Sequence, residues 1–167
     1  MPQTDSSDAD FIILVADERL ETMRLDRFYR DWRKAAGSGL PDAGFLGSQA
    51  FDYLTGAKLI FDVEPGDEFG HCRYRYRHID PQILVYSRRD MTGLCVDEHE
   101  EAYFAEHAGR AMDLVVETKR PIHARSRRQV DGAAYVMEFL VLPLTASPGG
   151  DSVDALFVAQ LFARDPA

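Results

Sequence analysis

The run HCRYRYRHIDPQILVYS, residues 71–87, changes its period in mid-course. From His71 to Ile79, Arg alternates with Tyr or His, the period of two that marks a strand. That alternation predicts Tyr74, Tyr76 and His78 on one face and Arg73, Arg75 and Arg77 on the other. Asp80-Pro81 then ends the strand and opens a short helix through Ile83, Leu84 and Tyr86. Asp is a good helix cap, and Pro is preorganised for the first helical position.

Upstream, Ala57 to Val63 (AKLIFDV) reads as a strand and Pro65-Gly66-Asp67 as a turn, so the two strands predict a hairpin. Before them, Glu18 to Ala36 has a helical pattern, with Asp17 as the expected cap. Leu25, Phe28, Trp32 and Ala35 form its apolar stripe. Gly37-Ser38-Gly39 stops the helix, and Asp42 to Gly56 is a mixed segment with one or two short helices. Residues 1–17 read as an acidic tail, in which Phe11 to Val15 is either a short strand or the lead-in to the helix.

Downstream, Asp97 is the expected cap of a longer helix, and Glu98, Glu100 and Glu101 suit the positive end of its dipole. Phe104, Ala108, Ala111 and Val115 make one buried stripe. Pro121 closes the helix. Three strands follow, Ile122 to Arg128, Ala133 to Leu144 and Val153 to Phe162, separated by Asp131-Gly132 and Ser147 to Asp151. Two strands before a helical insert and three after it predict an α+β domain over residues 18–164. Its core is a five-stranded antiparallel sheet with a flanking N-terminal helix.

The chain has 167 residues, a size for one domain. Nineteen basic and 28 acidic residues give a net charge of −9, the wrong sign for a free-standing nucleic-acid binder. No apolar run approaches the roughly 20 residues needed to span a bilayer, and no Lys or Arg precedes the first one, so no secretory signal is expected. Cys72 and Cys95 are too few for a disulfide scaffold, which makes a reducing cytoplasm the expected setting. GxSxG, Walker A and GxGxxG motifs are absent.

The element order, with Ile79-Asp80-Pro81 leading into Tyr86-Ser87-Arg88-Arg89-Asp90-Met91-Thr92-Gly93, resembles that of a PAS domain. More narrowly, six pieces are similar to a PAS-like family of mostly uncharacterised proteins frequent in alphaproteobacteria. They are Asp31-Trp32-Arg33, Leu40-Pro41, Tyr74-Arg75-Tyr76-Arg77, Arg88 to Gly93, Arg120-Pro121 and Leu142-Pro143-Leu144. Asp80 stands where that family usually has Gly. The resemblance implies a sensory or signalling module that binds a small molecule between sheet and helices, or a protein partner through the sheet and flanking helix.

The candidate ligand residues are Tyr76, Arg77, His78, Tyr86, Phe104, Met112 and Glu138. An aromatic face of the Arg/Tyr strand would make an amphipathic pocket, and an arginine face would grip an anion. Arg77 and Glu138 are equally readable as a structural pair. Phe104, Met112, Leu84 and Met137 are bulky enough to fill the interior instead, which keeps a ligand-free adaptor open. His107 is the better placed of two helical histidines for a haem, yet a lone histidine is ordinarily structural, and Cys95 lacks the motif of a flavin photosensor. The cofactor therefore stays unknown. No metal site is expected, since the spacing of His99, Glu100 and His107 is poor. His78 with Asp80 is the one acid–base pair to weigh for catalysis.

The expectation is a stand-alone cytoplasmic PAS-like domain that is not an enzyme. It signals by binding a small molecule or a protein. Helix 18–36, rich in Phe28, Tyr29 and Trp32, is the expected partner or homodimer surface. Nucleic acid and membrane are not expected partners.

Overall fold

The computed structural model describes residues 10–13, 19–48, 51–66, 72–87 and 89–165. Asp17, Glu18, Asp67, His71 and Arg88, all used above, lie outside these. The strands are β1 (Asp10–Ile13), β2 (Lys58–Pro65), β3 (Cys72–Ile79), β4 (Ile122–Val130), β5 (Ala133–Leu144) and β6 (Ala155–Arg164). The helices are α1 (Met23–Ala36), α2 (Phe45–Ser48), α3 (Pro81–Ser87) and α4 (Ala102–Thr118).

The strands form one antiparallel sheet in the order β1-β4-β5-β6-β2-β3. Five of them are the expected strands, split two and three around α3 and α4. The sixth, β1, pairs with β4 from Asp10↔Arg125 to Ile13↔Ile122, which settles the ambiguity of that segment in favour of a strand. β6 lies between β5 and β2 and is the only strand that joins the two halves among the described residues. Asp131 and Gly132 both have positive φ, 52° and 78°, as a two-residue hairpin turn requires.

Both faces of the sheet are covered. One carries Phe61, Tyr74, Tyr76, Leu156 and Val158 against Met112 and Val115 of α4 and Ile83 of α3. The other carries Leu140, Leu142, Leu144 and Phe157 against Leu25, Phe28 and Trp32 of α1. Phe28 is fully buried and meets Phe157 edge-on at 4.7 Å between ring centroids. Phe28, Tyr29 and Trp32 are thus spent inside the domain, which removes the aromatic argument for helix 18–36 as a partner or homodimer surface. On the exposed side of α1, Arg27 lies over the Tyr53 ring at 4.1 Å, and the Tyr53 hydroxyl donates to Asp31 at 2.6 Å.

Two helix starts differ from the sequence reading. α1 begins at Met23 with Thr22 as the N-cap residue. The long helix begins at Ala102, not after Asp97. Arg73 holds the Asp97 carboxylate with two hydrogen bonds of 3.0 and 2.9 Å, and Glu98 turns back to accept the Cys95 N–H at 2.7 Å. These bonds close Val96–Glu98 into a single 3₁₀ turn, and His99 is extended (ψ 138°) before α4 starts. No helix among the described residues is long and apolar enough to cross a membrane.

Candidate functional site

The expected site residues fall into three groups. Tyr76 and Met112 are buried in the core between the sheet and α4. With Tyr74, Phe61 and Met91 they belong to one buried cluster on the side of the sheet where the resemblance implies a ligand. Beside them, the Tyr74 hydroxyl donates to Asp113 of α4 at 2.5 Å. Burial and the Asp113 contact push the Tyr74 phenol well above its ordinary value.

Arg77 and His78 point elsewhere. The β2–β3 register shifts between Ile60 and Phe61, so Phe61 opposes Tyr76 and Ile60 opposes His78. The extra residue on β3 is a bulge, which breaks the period of two. His78 therefore leaves the Tyr74–Tyr76 face and is half-exposed, with its ring on Asp80 at 2.7 Å. Arg77 is paired with Asp62, and Glu138 is not its partner. Arg75 binds Glu64 through two bonds of 2.6 and 2.9 Å, and Arg73 binds Asp97. The Arg75 hydrogen bond holds the Glu64 carboxyl below its usual range. These arginines are neutralised by the chain's own carboxylates, which argues against an anion clamp. Phe104 packs near the His99 ring at 4.7 Å.

Tyr86 and Glu138 are brought together. β6 continues to Arg164, whereas its pairing with β2 ends at Ala159↔Lys58, followed by one bond from the Gln160 N–H to the Ala57 carbonyl. Beside this overhang lies an open cleft of about 310 Å³. Thr22 and Arg24 from the start of α1, Gly56 from the approach to β2, Gln82 and Tyr86 from α3, and Val136, Glu138 and residues 160–163 from the sheet line it. Tyr86 stacks on Phe162 at 4.0 Å and 9° and meets Tyr135 edge-on at 5.5 Å. Glu138 shares the other sheet face with Leu140, by the strand alternation. The cleft thus opens onto both faces around the free edge of β6.

Glu138 is the polar centre of its side. Thr22 Oγ1 donates to both carboxylate oxygens, at 2.9 and 2.8 Å, and the buried His123 donates through Nε2 at 2.7 Å. Arg125 adds an ion pair at 3.8 Å. Burial pushes the Glu138 carboxyl up, but the His123 and Thr22 hydrogen bonds and the charges of His123 and Arg125 outweigh it, leaving it below its ordinary value of 4.5. A depressed carboxyl contributes stability that is present above pH 4.5 and lost as pH falls through the folded-state value. Thermal melts of wild type and Glu138→Gln should therefore differ most at neutral pH and converge in acid. A constant gap across that window would refute the assignment.

Asp80 does not line the cleft but shapes it. It was expected to cap α3. Its Oδ2 instead accepts the Gly56 and Lys58 N–H groups, both at 3.0 Å, fixing where β2 leaves β6. Gly56 has φ +83°, and a Cβ there would run into the Gln82 amide. Gly56→Ala should cost about 1–2 kcal/mol from the left-handed backbone alone, read as a lowered Tm. His78 and Asp80 are engaged with each other and with the backbone, and neither lines the cleft. The acid–base reading gains no support from their placement.

Cys95, Asp97 and Glu98 place their ligand atoms within 4.8 Å of one another. Asp97 is committed to Arg73 and Glu98 to the Cys95 N–H. Burial pushes the Cys95 thiol up, so the thiolate that binds metals is disfavoured. The group reads as part of the 3₁₀ turn.

The sequence reading missed Thr22, Gln82, Gln160, Phe162 and His123. Only His123 had a legible signal: it interrupts the apolar run Ile122-His123-Ala124 opposite a strand that carries Glu138.

No family model matches the chain, and no curated protein does. The narrower alphaproteobacterial likeness accordingly gains no support. Among solved structures, an RNA-binding light-oxygen-voltage receptor, a protein of the PAS superfamily, superposes on 92% of this chain with TM-score 0.51 and 13% identity. The fold is PAS-like. The PAS-like chain spans 38% of that receptor's length, and RNA binding is a property of the receptor. A domain of an HTR-like protein from Haloarcula marismortui ATCC 43049 matches 66% of this PAS-like chain and 98% of its own, at 15% identity. Its TM-score of 0.39 gives it no weight.

Proposed function

We propose that this PAS-like chain is a sensory or signalling domain that acts by reversible binding, not catalysis, and that its site is the cleft at the free end of β6. One observation carries this reading: Tyr86 and Glu138, from opposite faces of the sheet, meet at a single opening. An occupant there touches both layers of the fold. Glu138 also holds Thr22, the N-cap residue of α1, so a change at the cleft reaches the flanking helix directly. The packed interior beside α4 favours this location over the usual space between sheet and helices.

The same packing supports the second reading, an adaptor that holds no small molecule and binds only proteins. A fragment screen by two-dimensional NMR on the full chain tests the site. Small amphipathic fragments should shift the amides of Gly56, Leu161, Phe162 and Ala163, and Tyr86→Ala should abolish those shifts. Hits that cluster elsewhere, or no hits at the cleft, would sink the proposal.

A further inference from the structure

The outer face of α1 is basic on a chain that is acidic. The helix has five basic residues (Arg24, Arg27, Arg30, Arg33 and Lys34) and two acidic ones (Asp26 and Asp31), so it carries +3 where the whole chain carries −9. Asp26 is buried and Asp31 half-buried, whereas Met23, Arg24, Arg27, Arg30, Lys34 and Ala35 are exposed. Every exposed charge on α1 is therefore positive. Met23, Arg27, Arg30 and Lys34 stand at i, i+4, i+7 and i+11, a single line along the helix about 16 Å long.

Two features separate this line from a merely solvated helix face. The first is how its cations are held. Arg27 lies over the Tyr53 ring, which Asp31 fixes through the phenol, and Arg24 beside it donates to the Tyr53 carbonyl at 2.5 Å. A ring and a carbonyl position a guanidinium without neutralising it. Among the described residues Arg24, Arg27 and Lys34 have no carboxylate within ion-pair distance, and Arg30 alone of the line is paired, with Asp26 at 2.8 Å. The arginines of β3 are the contrast: Arg73, Arg75 and Arg77 each hold a carboxylate of the chain's own. The second feature is Met23, 80% exposed, an apolar group at the head of the cations.

We propose that this face docks an acidic helical segment of a partner protein, lying alongside α1. Its carboxylates, repeating every three or four residues, meet Arg27, Arg30 and Lys34, and an apolar side chain covers Met23. A short acidic segment meets only the basic line, whereas a long phosphate backbone would also meet the repulsion of a chain at −9. The inference goes beyond the cleft and holds whether or not the cleft takes a ligand.

The test uses the full chain and an acetylated, amidated peptide, two copies of Glu-Ala-Leu-Glu-Glu-Ala-Ala, followed by two-dimensional NMR. The amides of Arg27, Arg30 and Lys34 should shift, and added salt should weaken the binding. Lys34→Glu, on an exposed and unpaired position, should weaken it about threefold or more while the spectrum stays dispersed. Met23→Ser should weaken it without changing its salt dependence. The same peptide with Lys for Glu should not bind. No shift on α1, or equal binding by wild type and Lys34→Glu, would overturn the inference, with the fragment screen deciding the cleft separately. Tighter binding of a single-stranded RNA oligonucleotide to the same amides would assign the face to nucleic acid and overturn it. Shifts on α1 that grow with protein concentration, without peptide, would assign it to a second copy and also overturn it.

Discussion

Trp32→Ala should destabilise the domain by about 3–5 kcal/mol and leave its mass in solution unchanged. The indole is 7% exposed and donates from Nε1 to the Pro143 carbonyl at 2.9 Å. It therefore joins α1 to the end of β5 by both packing and a buried hydrogen bond. Truncation removes the contact area and leaves the Pro143 carbonyl without that donor. In a domain of this size the loss corresponds to a drop of at least about 6 °C in Tm. Circular dichroism should record it, because the variant lacks the chain's single tryptophan. Trp32→Phe, which keeps most of the area and loses the N–H, should cost only about 1 kcal/mol. A shifted sedimentation mass with unchanged stability would instead place Trp32 in an interface between molecules.

Asp80→Ala should be the second largest loss, about 2–4 kcal/mol. The residue is buried, and its carboxylate satisfies the N–H groups of Gly56 and Lys58 and the His78 ring. Without it, two backbone donors at the point where β2 leaves β6 have no acceptor. Chemical denaturation should show a lower midpoint at an unchanged slope, and exchange at the Gly56 and Lys58 amides should accelerate ahead of global unfolding. Asp80→Asn retains one acceptor oxygen and should lie between. Equal exchange rates in wild type and Asp80→Ala would show that the carboxylate does not hold the corner.

The sheet was legible because its strands announce themselves by local rules. Asp131-Gly132 turns where two positive φ values are needed, and Phe139 to Leu144 is a continuous apolar run, as in a strand covered on both faces. The elements that went astray depend on distant partners. Asp97 has the chemistry of a helix cap, but Arg73, 24 positions earlier, claims its carboxylate. His78 follows the alternation of its strand until one bulge moves it, and a bulge leaves no mark in the residue types here. Of the seven candidate ligand residues, Tyr86 and Glu138 share an opening. They meet because β6 outruns β2, a mismatch of lengths that no single segment reveals. Arg77 pairs with Asp62, which the register sets opposite Arg75, so strand alternation alone does not reveal that partner.

The position of β6 has a consequence for how the chain acquires its shape during synthesis. The hairpin of β2 and β3 and the hairpin of β4 and β5 are each local, yet they touch through β6. Until the ribosome has released residues 155–164, no strand pairing joins the two ribbons among the described residues, and Phe157 has not yet arrived beneath Phe28. Long-range pairing of this kind folds slowly, in milliseconds to seconds rather than microseconds. A nascent chain stalled before Ala155 should therefore be open to protease along its whole length, and one released just past Arg164 should abruptly resist it.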